Sequence, residues 1–77
     1  MKIEKGERYM GNFSLIGVDG NAYSIMGYTA KALRHVGLSD KVEEMYKSAT
    51  KGNYYQLIAV CDEYIDMANA KLKDGEE

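Results

Sequence analysis

The stretch VDGNAYSIMGYTAKAL, residues 18–33, decides how this chain is interpreted. Its Asp19-Gly20 dipeptide is typical of a β-hairpin turn, after which a second strand would follow. The residues after the turn instead recur with helical periodicity. Placed at about 100° steps, the apolar positions and one threonine share a narrow arc: Ala22, Ile25, Met26, Thr29, Leu33 and Val36. The turn is therefore predicted to lead into a helix, with Asn21 as the N-cap.

An apolar segment, Phe13–Val18, precedes the turn and predicts a short strand, because it is short and contains β-branched residues. A lone strand leaves its backbone N–H and C=O groups without partners. We therefore expect it to pair with Glu7–Met10 in a hairpin across Gly11-Asn12, or with its own copy in a neighbouring subunit. Residues 1–10 are interpreted as a loose arm or an edge strand.

Three helices are predicted after the turn, each from apolar residues at helical spacing. Gly37 serves as the C′ residue of the first helix, and Asn53 caps the third. Residues 73–77 are expected to form a frayed tail. The predicted helices run from about Ala22 to Val36, from Ser39-Asp40 to Gly52, and from Tyr54 to Leu72. The expected fold class is α+β, with one short N-terminal strand or hairpin followed by three helices in a small single domain.

Composition excludes several classes of protein. The net charge of -2 over 77 residues argues against a duplex-DNA binder, and no apolar run is long enough to cross a membrane. One cysteine and one histidine exclude a disulfide framework and argue against zinc, so we expect a cytoplasmic protein without metal or cofactor. A core of this size leaves only about 3–5 kcal/mol of net stability, which favours a homo-oligomer.

Two surfaces are candidates for the subunit interface. Phe13 and Leu15 lie on the predicted strand, whose free edge can pair with another copy. Val60 and Met67 are seven residues apart and extend the apolar side of the third helix beyond its core stripe. A helix with two apolar sides in so small a domain indicates a second contact surface.

The turn and the first helix also carry candidate ligand-binding residues. Asp19, Gly20 and Asn21 form a strand–turn–helix corner, a geometry that binds anions, although the pattern is neither a P-loop nor a dinucleotide fingerprint and a structural role is the alternative. Gly27 costs about 0.5–1 kcal/mol relative to Ala in a helix interior. It lies on the polar side, so a helix, a second subunit or a ligand could approach the backbone there.

A basic patch, Lys31, Arg34 and His35, lies near the end of the same helix. It either grips an anion such as a phosphate or simply complements the helix dipole in solvent. Tyr23 and Tyr28 fall off the core stripe, and exposed tyrosines suit an interface or stacking on a base. No nucleophile, metal cluster or paired acid is recognisable, so we expect a protein that is not an enzyme.

The motifs DGNAYSIMG, KAL and EEMYKSATKGNYYQLI resemble a group of short uncharacterised proteins from phages and prophage-like elements. The resemblance covers residues 13 to about 65 and departs at Lys51, where Ser is usual, and at Asn53, where Asp is usual. It implies a small accessory protein made in the cytoplasm of an infected bacterium, where such proteins often act stoichiometrically on host factors.

Three functional hypotheses follow. The first is a counter-defence protein that, as an oligomer, sequesters a small anionic host molecule such as a signalling nucleotide. The second is an inhibitor that binds a host protein directly through Gly27, Tyr28 and the Val60–Met67 face. The third, an enzyme, has the least support because no catalytic group is recognisable.

Overall fold

Within the part of the chain that the structure describes, three helices form a bundle in which every helix contacts the other two. The computed structural model describes residues 13–75. The helices are α1 (Ala22–His35), α2 (Asp40–Ala49) and α3 (Tyr54–Gly75). Their number and order match the expectation. The α+β class is wrong for the described residues, because the segment before α1 contains no strand.

The predicted strand at residues 13–18 is a turn, and its glycine explains why. The Val18 N–H donates to the Leu15 carbonyl at 3.1 Å, and Gly17 has a φ of 87°. Positive φ at the third position is the signature of a type II turn, which reverses the chain. A strand cannot continue through that conformation. The other half of the predicted hairpin and the arm at residues 1–10 lie outside the described residues.

Helix α1 begins and ends as its sequence predicts. The Asn21 Oδ1 accepts the Tyr23 N–H at 2.8 Å, which confirms the N-cap. At the other end, Gly37 has a φ of 83°, and the Leu38 N–H donates to the Leu33 carbonyl at 2.8 Å. This hydrogen bond between residues five apart is the 6→1 bond of a Schellman motif, and it confirms Gly37 as the C′ residue.

The other two helices agree with their predicted bounds only in part, because α2 starts at Asp40 as expected but ends at Ala49 rather than at Gly52. The Asn53 Oδ1 accepts the Gln56 N–H at 3.0 Å, as expected for the cap of α3. Ser39 precedes α2 but makes no side-chain cap. Helix α3 continues to Gly75 instead of ending near Leu72, so residues 73–75 are helical, and only residues 76–77 of the predicted tail lie outside the described residues.

The core is wider than the predicted stripes because α1 packs against two helices at once. Ala30 and Ala32, at the two edges of the α1 stripe, are fully buried, since short side chains let neighbouring helices approach closely. Tyr46 and Tyr54 share the helical spacing of the apolar residues on α2 and α3, but they are 36% and 43% exposed. The buried set is Ile25, Met26, Thr29, Ala30, Ala32, Leu33, Val42, Met45, Ala49, Leu57, Cys61, Tyr64, Ile65 and Ala68.

Two polar side chains within and beside the core are hydrogen-bonded. The Thr29 hydroxyl donates to the Ile25 carbonyl at 2.9 Å. The Tyr64 hydroxyl donates to the Glu44 carboxylate at 2.6 Å. This hydrogen bond is the main cause of a raised pKa of Tyr64, and burial contributes in the same direction. Between residues 13 and 75 no helix is both long and apolar enough to cross a membrane.

Candidate functional site

An open groove runs along the outer face of α1. Tyr28, Lys31 and His35 are spaced three and four residues apart, so their side chains fall on one side of the helix. Ala32 lies beneath them and the Phe13 ring closes one side. The cavity between these residues has a volume of about 280 Å³.

Phe13 reaches α1 because its segment folds back across the helices. Its ring centroid lies 6.4 Å from that of Tyr28 and 5.8 Å from that of His35, with both pairs edge-on. Edge-on aromatic pairs at this separation are attractive. The Ser14 N–H also donates to the Tyr28 hydroxyl oxygen at 3.0 Å, which holds the segment against the helix.

A second cavity adjoins the first and continues toward the start of α1. It has a volume of about 530 Å³ and shares Tyr28 and Lys31 with the first cavity. Gly27 forms part of its floor, and no atom lies within 4 Å of the place where a β-carbon would stand. The structure therefore shows no close approach to Gly27 by another part of the described chain. Its lining is Val18, Asp19, Ser24, Gly27, Tyr28 and Lys31.

The structure gathers only part of the predicted ligand-binding set. Asp19, Gly27, Tyr28, Lys31 and His35 line one or both cavities, whereas the remaining four do not. Two of the four have structural roles, because Asn21 caps α1 and the Gly20 carbonyl accepts the Tyr54 hydroxyl.

Tyr23 and Arg34 are the other two residues outside the cavities. Tyr23 is 81% exposed, and Arg34 is also exposed. Arg34 lies in the last turn of α1, where a cation complements the helix dipole.

The groove combines aromatic walls with one cationic group and an imidazole ring. Tyr28 and Phe13 offer ring surfaces, Lys31 offers an ammonium group, and His35 offers two ring nitrogens. Asp19 brings one carboxylate to the far end, in the second cavity. This arrangement can hold an aromatic anion by stacking and charge. Among residues 13–75 no group of three histidine, cysteine or acidic residues is placed to hold a metal ion.

The predicted interface residues occupy different environments. Phe13, Leu15 and Val60 are half-buried and pack against the core of their own chain. Met67 is 40% exposed on α3. Their role in an oligomer stays a prediction.

Asn69 is the residue near the groove that sequence reasoning missed. It lies on α3, half-buried, and its side-chain amide bonds to the backbone of Phe13. A signal was present in the sequence, since asparagine is a poor helix former in a helix interior and Asn69 borders the apolar stripe. An amide in such a place indicates a specific hydrogen-bond partner.

Comparison with known proteins gives no indication of function, so the functional assignment rests on the geometry of the groove. No family model matches the chain, and no curated protein or solved structure is significantly similar to it.

Substituting Gly27 tests whether the floor of the second cavity has room for a side chain. Gly37, which has a positive φ, provides the contrast. Gly27→Ala is expected to stabilise the fold by about 0.5–1 kcal/mol, because alanine is the better helix former and the added methyl group meets open space. Gly37→Ala is expected to destabilise it by about 1 kcal/mol, because φ at that position is 83°. Urea unfolding followed by circular dichroism measures both changes. A destabilised Gly27→Ala would contradict the open floor.

Proposed function

We propose that this protein is a non-enzymatic binding protein whose α1 groove takes a small anionic molecule with an aromatic ring, such as a signalling nucleotide. The observation that carries the proposal is the joint lining of one cavity by Phe13, Tyr28, Lys31 and His35. Ring surfaces and a positive charge within one groove match the base and the phosphate of a nucleotide.

The physical chemistry of the groove supports this ligand class. Stacking of a base on an aromatic side chain contributes about 1–3 kcal/mol and tolerates different bases. Lys31 supplies a compact positive charge suited to a phosphate. Because the groove is open rather than enclosed, we expect modest affinity from one chain. A second copy covering the groove would strengthen binding.

The resemblance to phage accessory proteins supports a setting for this activity. A protein that binds a host signalling nucleotide without converting it lowers the free concentration of that nucleotide in proportion to the protein present. We propose that the chain acts in this way as a counter-defence protein, assembled as a homo-oligomer in the cytoplasm of an infected bacterium. Stoichiometric sequestration needs no catalytic group.

Isothermal titration with AMP, ATP, GTP and cyclic dinucleotides tests the proposal. Lys31→Ala is expected to weaken binding about 10- to 100-fold, because it removes a charged partner of the phosphate. Lys71→Ala is the matched control, since Lys71 is exposed on α3 and contributes no lining to the groove. Absence of heat with every nucleotide, or equal weakening by both variants, would contradict the proposal.

A second candidate function is direct inhibition of a host protein through the α1 surface. The observation that favours it is the open space at Gly27, where a partner could lie directly against the helix backbone. Gly27→Leu would fill that space, whereas Tyr55→Leu changes a residue that is 80% exposed on α3. Loss of a stoichiometric partner from bacterial lysate with Gly27→Leu alone would favour this function over nucleotide binding.

A further inference from the structure

The side chain of Asn69 pairs with Phe13 as a neighbouring strand would. The Phe13 N–H donates to Asn69 Oδ1 at 2.7 Å, and Asn69 Nδ2 donates to the Phe13 carbonyl at 2.9 Å. Both hydrogen-bonding groups of one backbone residue are therefore satisfied by one amide. This pattern also determines the orientation of the amide, because the N–H needs an oxygen and the carbonyl needs a donor.

The segment at residues 13–18, which we call the strap, is thus held from two helices. Asn69 on α3 holds the Phe13 backbone, while the Tyr28 hydroxyl on α1 accepts the Ser14 N–H. The Phe13 ring lies between these anchors and contacts Tyr28 and His35. Its place in the groove therefore depends partly on Asn69, a residue that does not line the groove.

We propose that Asn69 is the positioning residue of the α1 groove, holding the Phe13 backbone so that its ring forms one wall. The α1 helix carries the ligand-facing groups, and α3 sets the wall opposite them. The positioning itself does not depend on any ligand. Its consequence for affinity rests on the proposed function.

Nuclear magnetic resonance on the free protein tests the positioning directly. The Phe13 ring, 5.8 Å from the His35 ring, should displace the imidazole proton shifts by its ring current. Phe13→Ala defines the shifts expected without that ring. Asn69→Asp keeps the acceptor but loses the donor, and it should move the His35 shifts most of the way to the Phe13→Ala values.

Asn53→Asp is the matched control for charge and chemistry. Asn53 caps α3, and aspartate caps a helix equally well, so this variant should leave the His35 shifts unchanged. Asn69→Ala removes both hydrogen bonds without adding a charge and should repeat the effect of Asn69→Asp. Wild-type His35 shifts in both Asn69 variants would overturn the proposal. So would loss of the helical circular dichroism signal in Asn69→Ala, because Asn69 would then hold the fold rather than the wall.

Binding of ATP provides the second readout. If Asn69→Ala lowers the docked population of the strap to about one in ten, the apparent dissociation constant rises about tenfold. Asn53→Asp should bind ATP as wild type does. If ATP binds wild type no better than Lys31→Ala, the proposed nucleotide function fails for ATP, while the His35 shifts still decide the role of Asn69. If Asn69→Ala and wild type bound ATP with equal affinity, the proposed effect of Asn69 on ligand affinity would be overturned.

Discussion

Leu33→Ala is expected to remove most of the stability of the protein at 25 °C, so that a substantial fraction of the molecules is unfolded. Leu33 is fully buried on α1, within the core shared by all three helices. Truncating a buried leucine removes its transfer free energy and leaves a cavity, which together cost about 2–5 kcal/mol. A domain of this size has only about 3–5 kcal/mol of net stability to lose. Urea titration followed by far-ultraviolet circular dichroism measures the change.

The control for this loss is an apolar truncation at an exposed position. Ile16 is 92% exposed in the strap, so Ile16→Ala should change stability by less than about 0.5 kcal/mol. If Leu33→Ala kept most of the wild-type stability, the three-helix core would not hold the fold in the way described. Equal loss in both variants would point to an unrecognised contact at Ile16.

The Cys61 thiol is expected to react with alkylating reagents about 100- to 5,000-fold more slowly in the native protein than in denaturant, because the reagent reaches it only through global opening, which costs about 3–5 kcal/mol. Cys61 is fully buried on α3. Burial raises the pKa of the thiol, while a hydrogen bond with Thr29 partly opposes the shift. The raised pKa also lowers the thiolate fraction of the native thiol, and the thiolate is the reactive form. Mass spectrometry against time measures the labelling rate.

Ser39→Cys provides an internal control for the labelling experiment. Ser39 is exposed before α2 and makes no side-chain cap, so a thiol there should react at the rate of a free cysteine. The variant should therefore take up one label quickly and the second only on the timescale of opening. Rapid uptake of both labels would contradict the burial of Cys61. The same experiment on Leu33→Ala should remove most of the protection.

Helix boundaries could be predicted because they depend on residues next to them in the chain. Asn21 and Asn53 each accept an N–H two or three residues further on, and Gly37 supplies the positive φ that ends α1. Such contacts are short-range, so a pattern of a few residues contains the information. The ends of α2 and α3 were less well predicted, because local patterns there offered more than one acceptable boundary: α2 ends at Ala49 rather than at Gly52, and α3 ends at Gly75 rather than near Leu72.

The candidate site could be predicted mainly where it lies on one helix, with Asp19 in the preceding turn as the exception. Tyr28, Lys31 and His35 face the groove together because helical spacing places them on one side. Phe13 was assigned to a strand and a subunit interface, and its actual position depends on Asn69, which is 56 residues away in the chain. No local pattern contains that contact. Asn21 and Gly20 were counted as ligand-binding but bond within the fold, because a corner suited to anions also suits a cap.

By itself the sequence determined the number of helices, the caps at Asn21 and Asn53, and the glycine that ends α1, since each follows from short-range hydrogen bonds and periodicity. It also limited the chain to a small core with one buried thiol. Only the tertiary structure decided the conformation of residues 13–18. Backbone groups that a strand would have satisfied are satisfied instead by the Asn69 amide, the Tyr28 hydroxyl and a turn at Gly17. The apolar pattern of that segment is compatible with either solution, and packing against α1 and α3 selects between them.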